Sequence, residues 1–119
     1  MNTPLVPISI GELIDKITIL QIKSEYTESK YVHKELQDLI KISQDLGVYK
    51  DDYLKDLLKV NRKLWDIEDK LRKHEENWIF DDEFIRLARS VYITNDERSR
   101  LKKKINSELS SEYQEVKLY

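Results

Sequence analysis

The stretch LWDIEDKLRK, residues 64–73, holds three carboxylates in four positions: Asp66, Glu68 and Asp69. Carboxylates so close could ligate a metal, act as acid and base, or form the charged face of a helix. A helical step of about 100° per residue separates them. With Leu57 as the centre of the apolar stripe, Leu54, Leu58, Leu64, Trp65 and Leu71 gather around it. Asp66 falls on the opposite, watered side and Asp69 on the flank. Each acid also has a base four residues on, Asp66 with Lys70, Glu68 with Arg72 and Asp69 with Lys73. Such pairs add roughly 0.2–0.5 kcal/mol each to a helix. Asp66 and Asp69 therefore read as a solvated face.

Glu68 is different, because it falls inside the stripe beside Asn61 and Arg72. A charge at a core position costs several kcal/mol unless it is paired and hydrogen-bonded. Partners come within reach if the third and fourth helices form an antiparallel hairpin turning near residue 80. Equal distances from that turn put Glu68 level with Tyr92, Trp65 with Asn95, and Asn61 with Arg98 or Ser99. The candidate cluster is Asn61, Trp65, Glu68, Arg72, Tyr92, Asn95 and Arg98. Two readings are open. One is a buried hydrogen-bond network that fixes helix register. The other is a small polar pocket between helices, in which Arg98 and Arg72 hold an anion and Glu68 is base or acceptor.

Other chemistries lack their residues. Cysteine is absent, which removes disulfides, thiolate nucleophiles and cysteine-bound metals. His33 and His74 have Lys30 and Leu71 three positions before them, so the Glu-x-x-His pattern of di-metal bundles is missing. No metal and no cofactor is implied, and no catalytic residue is assigned. Asp51, Asp52 and Asp56 fit a helix start, where acids are favoured without any ion. Gly11 and Gly47 stand alone, so there is no phosphate-cradling loop. The run RSRLKKK, 98–104, lacks interleaved aromatics and follows Asp96 and Glu97; nucleic acid is not an expected partner.

The elements that would carry the cluster are helical. Two glycines and two prolines in 119 residues, with 37% charged and 39% hydrophobic residues, describe one helix-rich domain spanning 1–119. The net charge of −2 draws it to no polyanion. No apolar run approaches the roughly 18 residues that cross a bilayer, and the amino terminus lacks a signal peptide's basic region. A cytoplasmic location without membrane insertion follows. Ser9 and Glu12 make a capping box for a first helix with Ile10, Leu13, Ile14, Ile17 and Leu20 on one face. Ile19, Ile22 and Tyr26 lie on the other, so this helix is central or shared with another subunit. A second helix runs 30–46 and ends on Gly47 as a left-handed cap. A third opens at Asp51 and Asp52 and runs to about Glu76. A fourth is capped by Asp81 and either continues to about Leu109 or breaks at a second box, Thr94 to Glu97. Trp65 and Trp78 read as core and hairpin packing. The ending EVKLY suits an extended segment on a surface, with Tyr113 and Tyr119 free to dock. The expected fold is all-α, an antiparallel bundle of four or five helices with a short extended tail.

The blocks SIGELIDKITILQIKSE (9–25), VNRKLWDIEDKLRKHE (60–75), FIRLARSVYITNDERSRLKKKIN (84–106) and the final EVKLY resemble a small family of domains of unknown function from bacteria and tailed phages. The resemblance spans nearly the whole chain in order; the segment around 48–52 matches least. It implies no established activity. Its members tend to accompany genes for cell-surface polysaccharide or glycosyl-transfer work. The family blocks fall on Glu12, Asp15, Lys16, Asn61, Trp65, Asp66, Glu68, Asp69, Arg89, Tyr92, Asn95, Asp96 and Arg98. A fainter likeness, to helical chorismate mutases, rests on Ile14-Asp15-Lys16-Ile17; those enzymes need an arginine on that helix, and this one has none.

The expected function is a non-catalytic oligomerising or interaction module, joined through the two-faced first helix and able to take a protein partner. The alternative is a binding or catalytic domain for a small anionic or sugar-derived ligand, tied to cell-surface polysaccharide synthesis.

Overall fold

A computed structural model describes residues 2–118. Four helices follow one another: α1 (Ile10–Ser24), α2 (Lys30–Asp45), α3 (Asp51–Glu76) and α4 (Asp82–Glu108), and no strand occurs among the described residues. The fold is the expected all-α bundle of four, and α4 runs through Thr94 without a break. A Thr-x-x-Glu signal inside a long amphipathic run starts no new helix while the i→i−4 ladder continues, and here Thr94 is buried inside that ladder.

Helix ends are where local chemistry decides. The Ser9 hydroxyl accepts from the Glu12 amide at 3.1 Å, but the Glu12 carboxylate does not complete the capping box; it accepts from Lys102 instead. Asp81 caps α4 by accepting from the Phe84 amide. At the other ends, α2 closes on Gly47 with φ 71° and a Val48 N–H to Ser43 carbonyl bond of 2.9 Å, the expected left-handed cap. α3 closes the same way on Trp78, φ 55°, with the Ile79 amide donating to the His74 carbonyl at 2.9 Å. A side chain in this region costs about 1–2 kcal/mol, and Trp78 is 82% exposed, so no core packing offsets the strain. Trp78→Gly should raise the unfolding free energy of the monomer by about 1 kcal/mol, after allowing for glycine's greater unfolded-state entropy. Urea unfolding at low protein concentration measures it.

α1 touches α2, α3 and α4, and is the centre of the bundle. Ile14, Ile17, Leu57 and Ile105 are the heart of the core, with Leu36, Leu39 and Ile40 of α2 packed on its outside. Within one chain Leu13, Ile14, Ile17 and Leu20 on the first face of α1 and Ile22 on the second are buried, Ile19 is half-buried at a groove and Tyr26 is exposed, so little apolar surface of α1 is left for another subunit. The α1–α4 crossing is close because Gly11 presents no side chain. A Cβ there would stand 2.6 Å from the Lys102 carbonyl oxygen. Ahead of Ile10 and beyond Ser111 the chain is irregular, and Leu5, Val6, Val116 and Leu118 are exposed. Residues 111–118 form no helix and no strand; Tyr113 is exposed, and Tyr119 lies outside the described residues.

α3 and α4 are much longer than α1, and their distal halves project past its end as a two-helix hairpin. From Glu68 to Ile93 no residue is buried.

Candidate functional site

The buried charge of this protein is Asp15, not Glu68. Asp15 is fully buried in α1. Its Oδ1 accepts from Arg98 Nε and from Asn61 Nδ2, each at 2.9 Å, and its Oδ2 accepts from Arg98 Nη2. The Asn61 amide also donates to the Thr18 hydroxyl at 2.9 Å, and that hydroxyl donates to the Asp15 carbonyl. Three helices are thus tied at one level by a bidentate, charge-assisted pair. The hydrogen bond to Asp15 is the main cause that raises the Arg98 pKa, against the opposing effect of burial, so the guanidinium stays charged.

One turn further along, Lys102 Nζ donates to Glu12 at 2.7 Å and to Glu115 at 2.8 Å. Burial alone would lower the Lys102 pKa, but hydrogen bonds to Glu115 and then Glu12 outweigh it and raise it. The same lysine lowers the Glu115 carboxyl. This clamp holds the tail to α1 and α4, helped by the Ser111 hydroxyl, which accepts from the Ile10 amide. Glu115's contribution is complete above its usual 4.5 and lost as pH falls through its lowered value. That of Lys102 is complete below its usual 10.5 and lost as pH rises through its raised value. The tail should therefore stay docked from about pH 5 to pH 10 and detach in acid, with α1 still folded. Narrowing of the Val116 and Leu118 methyl NMR signals on acidification would show it.

Above the Asp15–Arg98 pair, a groove of about 480 Å³ opens where α1 ends between the two long helices. Its apolar walls include Ile19, Ile22, Leu64 and Val91, and its polar rim carries Asp69 and six of the seven predicted residues: Asn61, Trp65, Glu68, Arg72, Asn95 and Arg98. Tyr92 is not among them. It lies on the exposed side of α4, where its hydroxyl accepts from Arg89 Nε at 3.4 Å. Trp65 is half-buried and stacked on Tyr26, with centroids 5.1 Å apart.

Glu68 departs from its expected burial: its side chain is 49% exposed and 3.7 Å from Arg72. The angular placement was sound, since Glu68 does face the groove. The burial was not, because α1 stops one turn earlier and nothing covers the stripe at that level. Ile67 is the buried residue there. Trp78, expected in hairpin packing, is instead solvent-facing beside Phe80. His74 is mostly covered, 3.6 Å from Asp81 and tilted against Phe84.

Asp15 was missed as the organising carboxylate by the helical patterning, although a signal was present. Asp15, Ile19 and Ile22 lie at i, i+4 and i+7, so it sits on the second apolar face of α1. Among the described residues no group of three His, Asp or Glu side chains could hold a metal. No described helix is long and apolar enough to cross a membrane.

Residues 5–119 match DUF6165, a family of unknown function. The chain belongs to this family. No curated protein matches the chain, and no solved structure does. The DUF6165 match takes in α1, both long helices and the clamped tail, so buried pair, groove and hairpin all lie inside the family domain.

Proposed function

We propose that this DUF6165 protein is a non-catalytic assembly module that associates with copies of itself through the distal α3–α4 hairpin. The observation that carries this is the 26-residue run from Glu68 to Ile93 in which nothing is buried. Two amphipathic helices alone bury too little to hold their shape in water; bundles need a third or fourth partner. The accessible surface is 8915 Å², against about 6,800 Å² for a compact monomer of 14.3 kDa. The radius of gyration is 16.1 Å, against about 13.5 Å for a compact chain of this length. The irregular ends and the distal hairpin are the parts of the chain that lie outside the packed core. An interface typically takes about 800 Å² from each partner. The strained, exposed Trp78 at the tip supports the same reading, since backbone strain without a packing return marks functional surface.

Light scattering at about 100 µM should give a mass of at least twice the 14.3 kDa of one chain. A strict monomer at that concentration contradicts the proposal. A cytoplasmic setting belongs to the same reading, and the sequence blocks support a source in bacteria or phages.

The groove favours a second reading, a binding site for a small anionic or sugar-derived ligand. The convergence of planar polar side chains and an indole on one 480 Å³ space supports it. A ligand at about 100 times its Kd would add roughly 2.7 kcal/mol to stability. A thermal-shift screen with nucleotide sugars, sugar phosphates and dicarboxylates tests it, using Asn95→Ala and Arg72→Ala, which leave the buried pair intact. A shift in wild type that both variants lose supports the site; no shift with any of these probes removes it for those classes.

A further inference from the structure

The distal part of α4 carries two apolar stripes. Phe84, Leu87 and Val91 are half-buried against α3, whereas Ile85, Ala88 and Tyr92, at i, i+3 and i+7, face solvent. The second stripe continues at the tip into Trp78, Ile79 and Phe80, all exposed. Charge along the same hairpin is banded. Between Glu75 and Glu83 lie five carboxylates, Glu75, Glu76, Asp81, Asp82 and Glu83, and no lysine or arginine. Just below, on the shank, Lys70, Arg72, Lys73, Arg86 and Arg89 are exposed with no carboxylate among residues 70–74 or 84–93.

An acidic tip next to a basic shank is self-complementary in one orientation only. Side by side with tips together, acid meets acid and base meets base. Antiparallel, each acidic tip meets a basic shank twice over, which is the requirement of a closed two-fold interface. We infer that two copies pair their hairpins antiparallel, with α4 against α4 and the two-fold axis near Ile85, resting on the self-association proposed above. About that axis, residue 85−n is level with 85+n of the partner. Asp82 and Glu83 then fall within one turn of Arg86 and Arg89 of the partner subunit, and Asp82 is level with Ala88 of the partner subunit. The small Ala88, one turn from the axis, allows the close approach of two helices. The result is a four-helix bundle made from two hairpins that are each incomplete alone, with steering by complementary charge.

A charge swap tests this. Arg86→Glu/Arg89→Glu makes the shank acidic, and Asp82→Lys/Glu83→Lys makes the tip basic while leaving the Asp81 cap in place. Circular dichroism confirms that each double variant is folded. Each alone should weaken self-association at least about tenfold, and an equimolar mixture should return to within about threefold of wild type. Added salt should weaken the wild-type dimer; a tips-together pair would be strengthened by it. The chain has no cysteine, so Asp82→Cys and Ala88→Cys copies, mixed and oxidised, should form a disulfide with each other and not with themselves. Self-association that persists unchanged in both reversals overturns the antiparallel hairpin while leaving the assembly reading standing. A wild-type protein that stays monomeric overturns both.

Discussion

Arg98→Leu is expected to remove about 3–5 kcal/mol of stability, because it leaves the fully buried Asp15 carboxylate without its counter-charge. That is a large part of the roughly 5–15 kcal/mol that holds a small domain together. Asn61 remains as a donor to Oδ1, but one neutral amide cannot replace a bidentate guanidinium. Replacing both charges, as in Asp15→Leu/Arg98→Met, should recover most of the loss, since an apolar pair of similar volume often equals a buried ion pair. Urea midpoints for the two single variants and the double variant measure the coupling. If Arg98→Leu costs no more than an exposed arginine would, about 0–1 kcal/mol, the pair does not organise the core.

Gly11→Ala is the second large effect, and its sign runs against helix propensity. Alanine inside a helix should gain about 1 kcal/mol over glycine. Here the new methyl would stand 2.6 Å from the Lys102 carbonyl oxygen and 2.9 Å from Asn106 Oδ1. The first obstacle is backbone, so α1 and α4 must separate. That breaks the 2.6 Å bond from the Gly11 amide to Asn106 and loosens the Lys102 clamp. Overpacking costs about 1–3 kcal/mol and a stranded buried polar group a similar amount, so a net loss of roughly 2–3 kcal/mol is expected. Thermal unfolding reads it directly, and a stability equal to or above wild type would show the crossing to be loose.

Much of this fold was legible in the chain because its signals are local. Ser9, Gly47 and Asp81 mark helix ends by chemistry that needs no tertiary partner, and the helix boundaries follow within a residue or two. The hairpin register was legible to within a residue: counting from the turn places Asn61 with Arg98 or Ser99, and Asn61 and Arg98 both bind Asp15. What could not be read was depth. Periodicity says which way Glu68 points but not where α1 ends, and one missing turn of a neighbouring helix converts a buried position into the rim of a groove. Trp78 was misplaced for a similar reason, since an indole in a hairpin turn looks like packing until the backbone puts it in the left-handed region facing water. The two apolar faces of α1 posed the reverse case. They suggest another subunit, whereas α2 on one side and the inner halves of α3 and α4 on the other cover all but Tyr26, and the exposed apolar side chains lie at the chain ends, on α2, at the hairpin tip and on α4.

Amide hydrogen exchange followed by mass spectrometry across a range of protein concentrations bears most directly on whether the hairpin needs a second copy. Segments 10–24 and 51–65 should exchange at one slow rate at every concentration, because one chain alone buries them. Segment 68–93 should be protected when the protein is concentrated and lose that protection on dilution through the dimer's dissociation constant. Protection of 68–93 that is the same at every concentration in a protein that remains monomeric would contradict the account.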